Sequence, residues 1–126
     1  MTIIRDFTEL TVYKKAFEAS MQLFHLTKEL PKEEVYSLTD QVRRSSRSVC
    51  ANIAEAFHKR SYPKSFVSTL NISEAEAAET KNWIEFLHAC HYIEEEKKNE
   101  LKDQMEEVIK MLITMQKSPE KWTIKK

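Results

Sequence analysis

Gln41-Val42-Arg43-Arg44-Ser45-Ser46-Arg47-Ser48-Val49-Cys50-Ala51-Asn52-Ile53-Ala54-Glu55-Ala56-Phe57 lays three arginines and a set of small residues over a helical apolar repeat. Leu38, Val42, Val49, Ile53 and Phe57 recur at helical spacing, so the segment buries one face of a helix. Ser45, Ser46, Ser48, Ala51 and Ala54 keep much of the remaining surface thin, and a thin helix admits a close neighbour.

Outward from this stretch, the composition restricts what the neighbours can be. A chain of 126 residues supports one core and is too short for two ordinary domains, so residues 1–126 are read as a single domain. It contains no glycine and only three prolines, Pro31, Pro63 and Pro119. That removes most hairpin turns and left-handed caps, and the fold class is all-α. Twenty basic and twenty acidic residues balance to zero, so electrostatic binding has to come from local asymmetry. Residues 42 to 64 carry six Lys or Arg against the single acid Glu55, whereas residues 65 to 111 carry eleven acids against five bases. The simplest arrangement is a basic helix beside acidic ones. The start, Met1-Thr2-Ile3-Ile4-Arg5-Asp6-Phe7, has no basic segment followed by an apolar one, and no run approaches a membrane span. The expected location is cytoplasmic, with no membrane partner, and Cys50 and Cys90 read as buried small hydrophobes in a reducing compartment.

Four helices follow from spacing and punctuation. Tyr13, Phe17, Ser20, Phe24 and Thr27 form the inward stripe of a first helix over about 10–30, stopped by Pro31. The second covers about 38–60. Pro63 suits a first helical turn, and Phe66, Leu70, Ser73, Ala77, Thr80, Ile84 and Leu87 carry a third over about 63–91. Leu101, Met105, Val108, Leu112 and Met115 mark a fourth over about 94–118, leaving flexible ends at 1–8 and 119–126. Short connections and spacing near 3.5 residues predict an up-down-up-down antiparallel four-helix bundle.

With the second turn centred near residue 61 or 62, antiparallel packing sets Arg44 level with Glu79, Arg47 with Glu76, Ser48 with Ala75 and Asn52 with Asn71. The expected seam, with Glu55 in its motif, is held in register by ion pairs and small residues. Trp83, Phe86, Ile109, Ile113, Leu23 and Leu26 lie off the inward stripes, and leftover apolar surface favours a homo-oligomer.

Catalytic constellations fail on geometry. Glu55-x-x-His58 and Glu85-x-x-His88 resemble the paired motifs of dinuclear bundles, but an axial offset of roughly 25 Å separates them. The same offset separates Cys50 from Cys90, too far for a disulfide. His88, Cys90 and His91 share one turn without a matching partner cluster. No glycine-rich phosphate loop is available, and Ser45, Ser46 and Ser48 have no histidine at helical spacing. The expectation is a protein without catalytic, metal or cofactor residues. Arg43, Lys59, Arg60 and Lys64 are the candidates for outside contacts, with nucleic acid as the chemistry that would use them. Lys121, Lys125 and Lys126, with Trp122, read as a basic mobile end.

Gln41-Val42-Arg43-Arg44-Ser45, Ser48-Val49-Cys50-Ala51-Asn52-Ile53-Ala54-Glu55, Glu79-Thr80 and Tyr92-Ile93, with the entry Leu10-Thr11-Val12-Tyr13-Lys14-Lys15-Ala16, carry a family resemblance over about residues 8 to 118. The chain resembles the four-helix-bundle family encoded in intervening sequences of bacterial 23S ribosomal RNA genes. The resemblance implies an up-down bundle in a ring-like homopentamer, without known catalysis. Relatives include the accessory protein of diversity-generating retroelements, a basic bundle that binds a reverse transcriptase and nucleic acid. The chain departs from the family where glycine is usual, at Ala56, at Ala75-Glu76 and at His91, and in its neutral charge.

The function expected is therefore that of a non-enzymatic, oligomeric accessory or adaptor protein. The alternative is an RNA- or DNA-binding protein using the basic face of helix two, alone or with a nucleoprotein partner. Arg44, Arg47, Ser48, Asn52, Glu55, Glu76 and Glu79 are assigned to the structural seam.

Overall fold

The computed structural model describes residues 3–123. Four helices dominate it: α1, Thr11–Thr27; α2, Leu38–Phe57; α3, Pro63–Ala89; and α4, Glu95–Lys117. Short 3-10 turns lie at Phe7–Glu9, Lys32–Glu34 and Pro119–Lys121. The ends fall within three residues of those expected, because the same side chains punctuate them. Pro63 opens α3 at its first turn, where a missing N–H costs nothing. At the end of α1, the Thr27 hydroxyl lies 2.8 Å from the carbonyl of Leu23 and 3.0 Å from that of Phe24, the second an acceptor the helix leaves open. The end of α3 uses a left-handed residue without a glycine: His91 sits at φ 65°, and the Tyr92 N–H reaches back to Leu87 O at 2.9 Å.

Pairwise contacts give the direction of each neighbour. Between α2 and α3, Thr80 meets Ser45 and Ser73 meets Val49, so the pairing runs in opposite senses. Between α3 and α4, Lys81 meets Glu106 while Glu85 meets Lys102. Between α1 and α2, Ser20 meets Ser46 and Thr27 meets Arg43. Between α1 and α4, Lys15 meets Glu107 and Gln22 meets Gln104. All four seams are antiparallel, and α1 and α3 lie diagonally across the bundle. The core fills with Leu23, Val42, Val49, Ile53, Leu70, Ile84, Leu87, Leu101, Met105 and Leu112, which are essentially sealed from water.

The inward face of α1 differs from the expected one. Val12, Ala16, Ala19, Ser20, Leu23 and Thr27 are buried, whereas Phe17 is 49% exposed and stacks on Tyr13 at 5.8 Å. Leu23, expected off the stripe, is in the core. Aromatic size drew the spacing one way, but the close approach of α1 to α2, with Ser20 Oγ 3.3 Å from Ser46 Oγ, selects the small-residue face. Cys90 is exposed, not buried, because α3 stops at Ala89.

Local structure extends into the described parts of both chain ends. Asp6 and Glu9 form a capping box around the first turn, the Glu9 carboxylate accepting from Asp6 N–H at 2.8 Å. Ile4, Phe7 and Trp122 pack against the core. Ile4, Leu10, Met111 and Trp122 line one apolar groove of about 420 Å³ at this pole of the bundle. Lys125 and Lys126 lie outside the described residues.

Candidate functional site

The register between α2 and α3 is the one expected, but its chemistry is different. Ser45, Ser73 and Thr80 are buried. Thr80 donates to Ser45 Oγ at 2.9 Å, and Ser73 donates to Val49 O at 2.8 Å. The seam is therefore stitched by hydroxyls, each small enough to let the helices close and each with a partner where water cannot reach.

The expected ion pairs Arg44–Glu79 and Arg47–Glu76 do not form, and among the described residues no ion pair joins α2 to another helix. Arg44 and Arg47 are exposed; Arg44 donates to Gln41 Oε1 at 3.1 Å. Glu79 accepts from the Trp83 indole at 3.3 Å. Asn52 bonds back to Ser48, to its carbonyl at 2.9 Å and its hydroxyl at 3.1 Å, while Asn71 faces Gln116 on α4. Two residues can be level along parallel axes and still point to different sides of their helices, which is why the arginines miss the glutamates. Two acids, Glu85 and Glu106, instead pair with lysines across the α3–α4 seam, where Lys102 and Lys81 hold their carboxyls below the ordinary range.

Of the four cations expected to make outside contacts, three are engaged within the protein. Lys59 pairs with Glu55 at 3.1 Å and reaches Thr69 Oγ1 at 3.3 Å. Arg60 lies over the Phe57 ring at 3.6 Å from its centroid and donates to Phe57 O at 2.9 Å. Lys64 is exposed on the first turn of α3. Arg43 turns toward α1, its Nε donating to Thr27 Oγ1 at 2.9 Å and a terminal nitrogen to Phe24 O at 3.4 Å.

That turn brings Arg43 into a larger assembly. Lys28, Lys32, Arg43, Arg44 and Arg47 line one cleft of about 600 Å³, with Asp40 the acid in its wall. The cations of Lys28, Arg43 and Arg47 converge on the ring of Phe24, at 4.6, 4.8 and 5.7 Å from its centroid. The ring's negative face attracts each of them. Lys28 and Lys32 come from the connection between α1 and α2, where the chain folds back along the arginine face. Their position beside Pro31 was the available signal, and the spacing of α2 alone could not supply it.

Opposite this connection, the Tyr92 hydroxyl donates to Glu34 Oε2 at 2.8 Å, tying the α1–α2 turn to the α3–α4 turn. The neighbouring carboxylate pushes the Tyr92 phenol up to about 12, and hydrogen bonds from Ser37 and Tyr92 lower Glu34. Burial raises the Cys50 thiol to about 11. Among the described residues, no group of three or more His, Cys, Asp or Glu side chains converges on a metal-sized site. No described helix is long and apolar enough to cross a membrane.

The sequence profile of the 23S rRNA-intervening sequence protein family matches residues 8–114. A crystal structure of a protein of unknown function, from the S23 ribosomal protein family of Bacteroides thetaiotaomicron, is similar with a TM-score of 0.76 and 34% identity. The match covers 84% of this chain and 95% of that one. A search of curated proteins finds no match.

Proposed function

Since the chain belongs to the 23S rRNA-intervening sequence protein family, we propose that it is a non-enzymatic accessory protein that self-associates through two unlike faces. The carrying observation is the pair of apolar stripes left outside the core. On α1, Phe17 and Met21 are 49% and 38% exposed, and Tyr13 stacks against Phe17. On α3, Ile72 and Phe86 are 51% and 49% exposed, with Trp83 against Phe86. Because α1 and α3 are diagonal, the stripes face different directions, and docking one onto the other in a second copy is a heterologous contact, the kind that builds a ring when its rotation closes. The ring size, five, comes from the family resemblance.

Light scattering on purified protein tests this reading. The mass should be a multiple of 14.9 kDa, and either Phe17→Glu or Phe86→Glu should break the ring. Mixing the two variants should restore a dimer, since each keeps one intact face. A monomeric native protein overturns the proposal.

A second reading, nucleic-acid contact through the basic face of α2, is favoured by the five-cation cleft. Binding of an RNA oligonucleotide that weakens steeply with added salt supports it, and salt-independent binding or none overturns it.

A further inference from the structure

Five cations elsewhere on the molecule have carboxylate counterparts. Lys15, Lys59, Lys81, Lys97 and Lys102 each pair with a glutamate. In the cleft between the end of α1 and the first half of α2, Lys28, Lys32, Arg43, Arg44 and Arg47 are gathered, and none has a carboxylate within ion-pair distance among the described residues. A neutral chain with twenty acids has no shortage of partners, so setting five cations against the single acid Asp40 around one concavity leaves a repulsion that an external anion would relieve. The cations are also held in place. Arg43 is fixed by Thr27 and Phe24 O, and Lys28, Arg43 and Arg47 all lie within 5.7 Å of the centre of the Phe24 ring. Arg44 and Arg47 remain exposed, free to contact an incoming anion.

The chain that leaves the cleft at Val35 adds a second kind of contact. Val35 lines the cleft and is 45% exposed, and the next residue, Tyr36, is 96% exposed. A tyrosine that contributes nothing to the core, one residue along the chain from the lining of a cationic groove, has the chemistry of a stacking platform for an unpaired base. A small anion would use the cations and leave Tyr36 idle. A duplex would keep its bases stacked on each other and away from the ring.

Resting on the nucleic-acid reading, we propose that this cleft is a single-strand binding site. Successive phosphates of an RNA or DNA strand lie against Lys28, Lys32, Arg44 and Arg47, and one base stacks on Tyr36. Phosphate contacts position the strand without reading its sequence, so binding tolerates changes of base. The cations at the far end of α2 take no part.

Fluorescence anisotropy with a fluorescein-labelled oligo-uridine tests the site. The double variant Arg44→Glu, Arg47→Glu should weaken binding by about tenfold or more, and Tyr36→Ala by about fivefold or more. Lys64→Glu should leave binding within about twofold, and unchanged thermal melting of each variant excludes a folding defect. Binding lost in Lys64→Glu but kept in the arginine variant overturns this site while the nucleic-acid reading survives. No binding by the native protein removes both. Two further arms use a duplex of the same length and inorganic tripolyphosphate. Equal affinity for duplex, or tight tripolyphosphate binding with no Tyr36 effect, overturns the single-strand assignment.

Discussion

The Thr80 hydroxyl donates to Ser45 Oγ at 2.9 Å across a contact in which both side chains are buried, at 0% and 1% exposure. Ser45 in turn reaches Val42 O at 3.4 Å, and Thr80 reaches Glu76 O at 2.9 Å, so neither hydroxyl depends wholly on the other. Thr80→Val keeps the shape and should cost only about 1 kcal/mol. Ser73 sits one turn-pair along the same seam at 0% exposure. Ser73→Leu forces α2 and α3 apart and should cost about 1–3 kcal/mol, more than Ser73→Ala. Urea titration ranks the three; a tolerated leucine would contradict the close seam.

The rotated face of α1 separates two residues that look alike in hydropathy. Leu23→Ala opens a cavity beneath a fully buried side chain and should cost about 2–5 kcal/mol. Phe17→Ala acts on a half-exposed ring and should cost the isolated subunit less than about 1 kcal/mol. If the ring of subunits forms, Phe17→Ala should also reduce the dependence of the melting temperature on protein concentration. The reverse order of costs would place the aromatic stripe inside.

The Glu34–Tyr92 contact makes stability sensitive to pH on two flanks. Glu34 titrates below its ordinary 4.5 because Ser37 and Tyr92 hydrogen-bond its charged form. Its contribution is complete above the ordinary carboxylate range and is lost as pH falls through the lowered value. Tyr92, raised from 10 to about 12, contributes fully below pH 10 and loses that contribution as pH rises toward 12. The difference in melting temperature between native protein and Tyr92→Phe should therefore be largest at neutral pH and shrink toward both extremes. A difference that is flat with pH would show that the hydroxyl is not coupled to Glu34.

The two cysteines should differ in reactivity. Cys90 is exposed at the end of α3, whereas Cys50 is 9% exposed with its thiol raised to about 11, so little thiolate is available. Ellman's reagent should modify Cys90 rapidly in the folded protein and Cys50 only after denaturant is added. Equal rates would mean that the α2 face carrying Cys50 opens readily.

Much of the architecture is legible in the sequence because helix punctuation is local. Pro31 and Pro63 mark a stop and a start, and the apolar repeats of α3 and α4 name their own buried residues, Phe66 to Leu87 and Leu101 to Met115. The turn at residues 61 and 62 also sets which level of α2 meets which level of α3. What the sequence conceals is rotation about the helix axis. Tyr13 and Phe17 outweigh Ala16 and Ala19 in any apolar tally, yet the small pair is buried because closeness to α2 decides the face. Rotation likewise directs Arg43 to Thr27 and leaves Glu79 to Trp83. The cleft depends on Lys28 and Lys32, brought by a reversal of the chain that helical spacing does not encode.

The groove shared by Ile4, Leu10, Met111 and Trp122 lies at one pole, beside the start of α1. The cationic cleft lies beside Thr27, at the other end of that helix and roughly 25 Å away along its axis. The molecule is thus directional. A dye or bead tethered near Ile4 or near Trp122 would occupy the same pole, whichever attachment was chosen, and would present the Arg43–Arg47 face outward to whatever flows past.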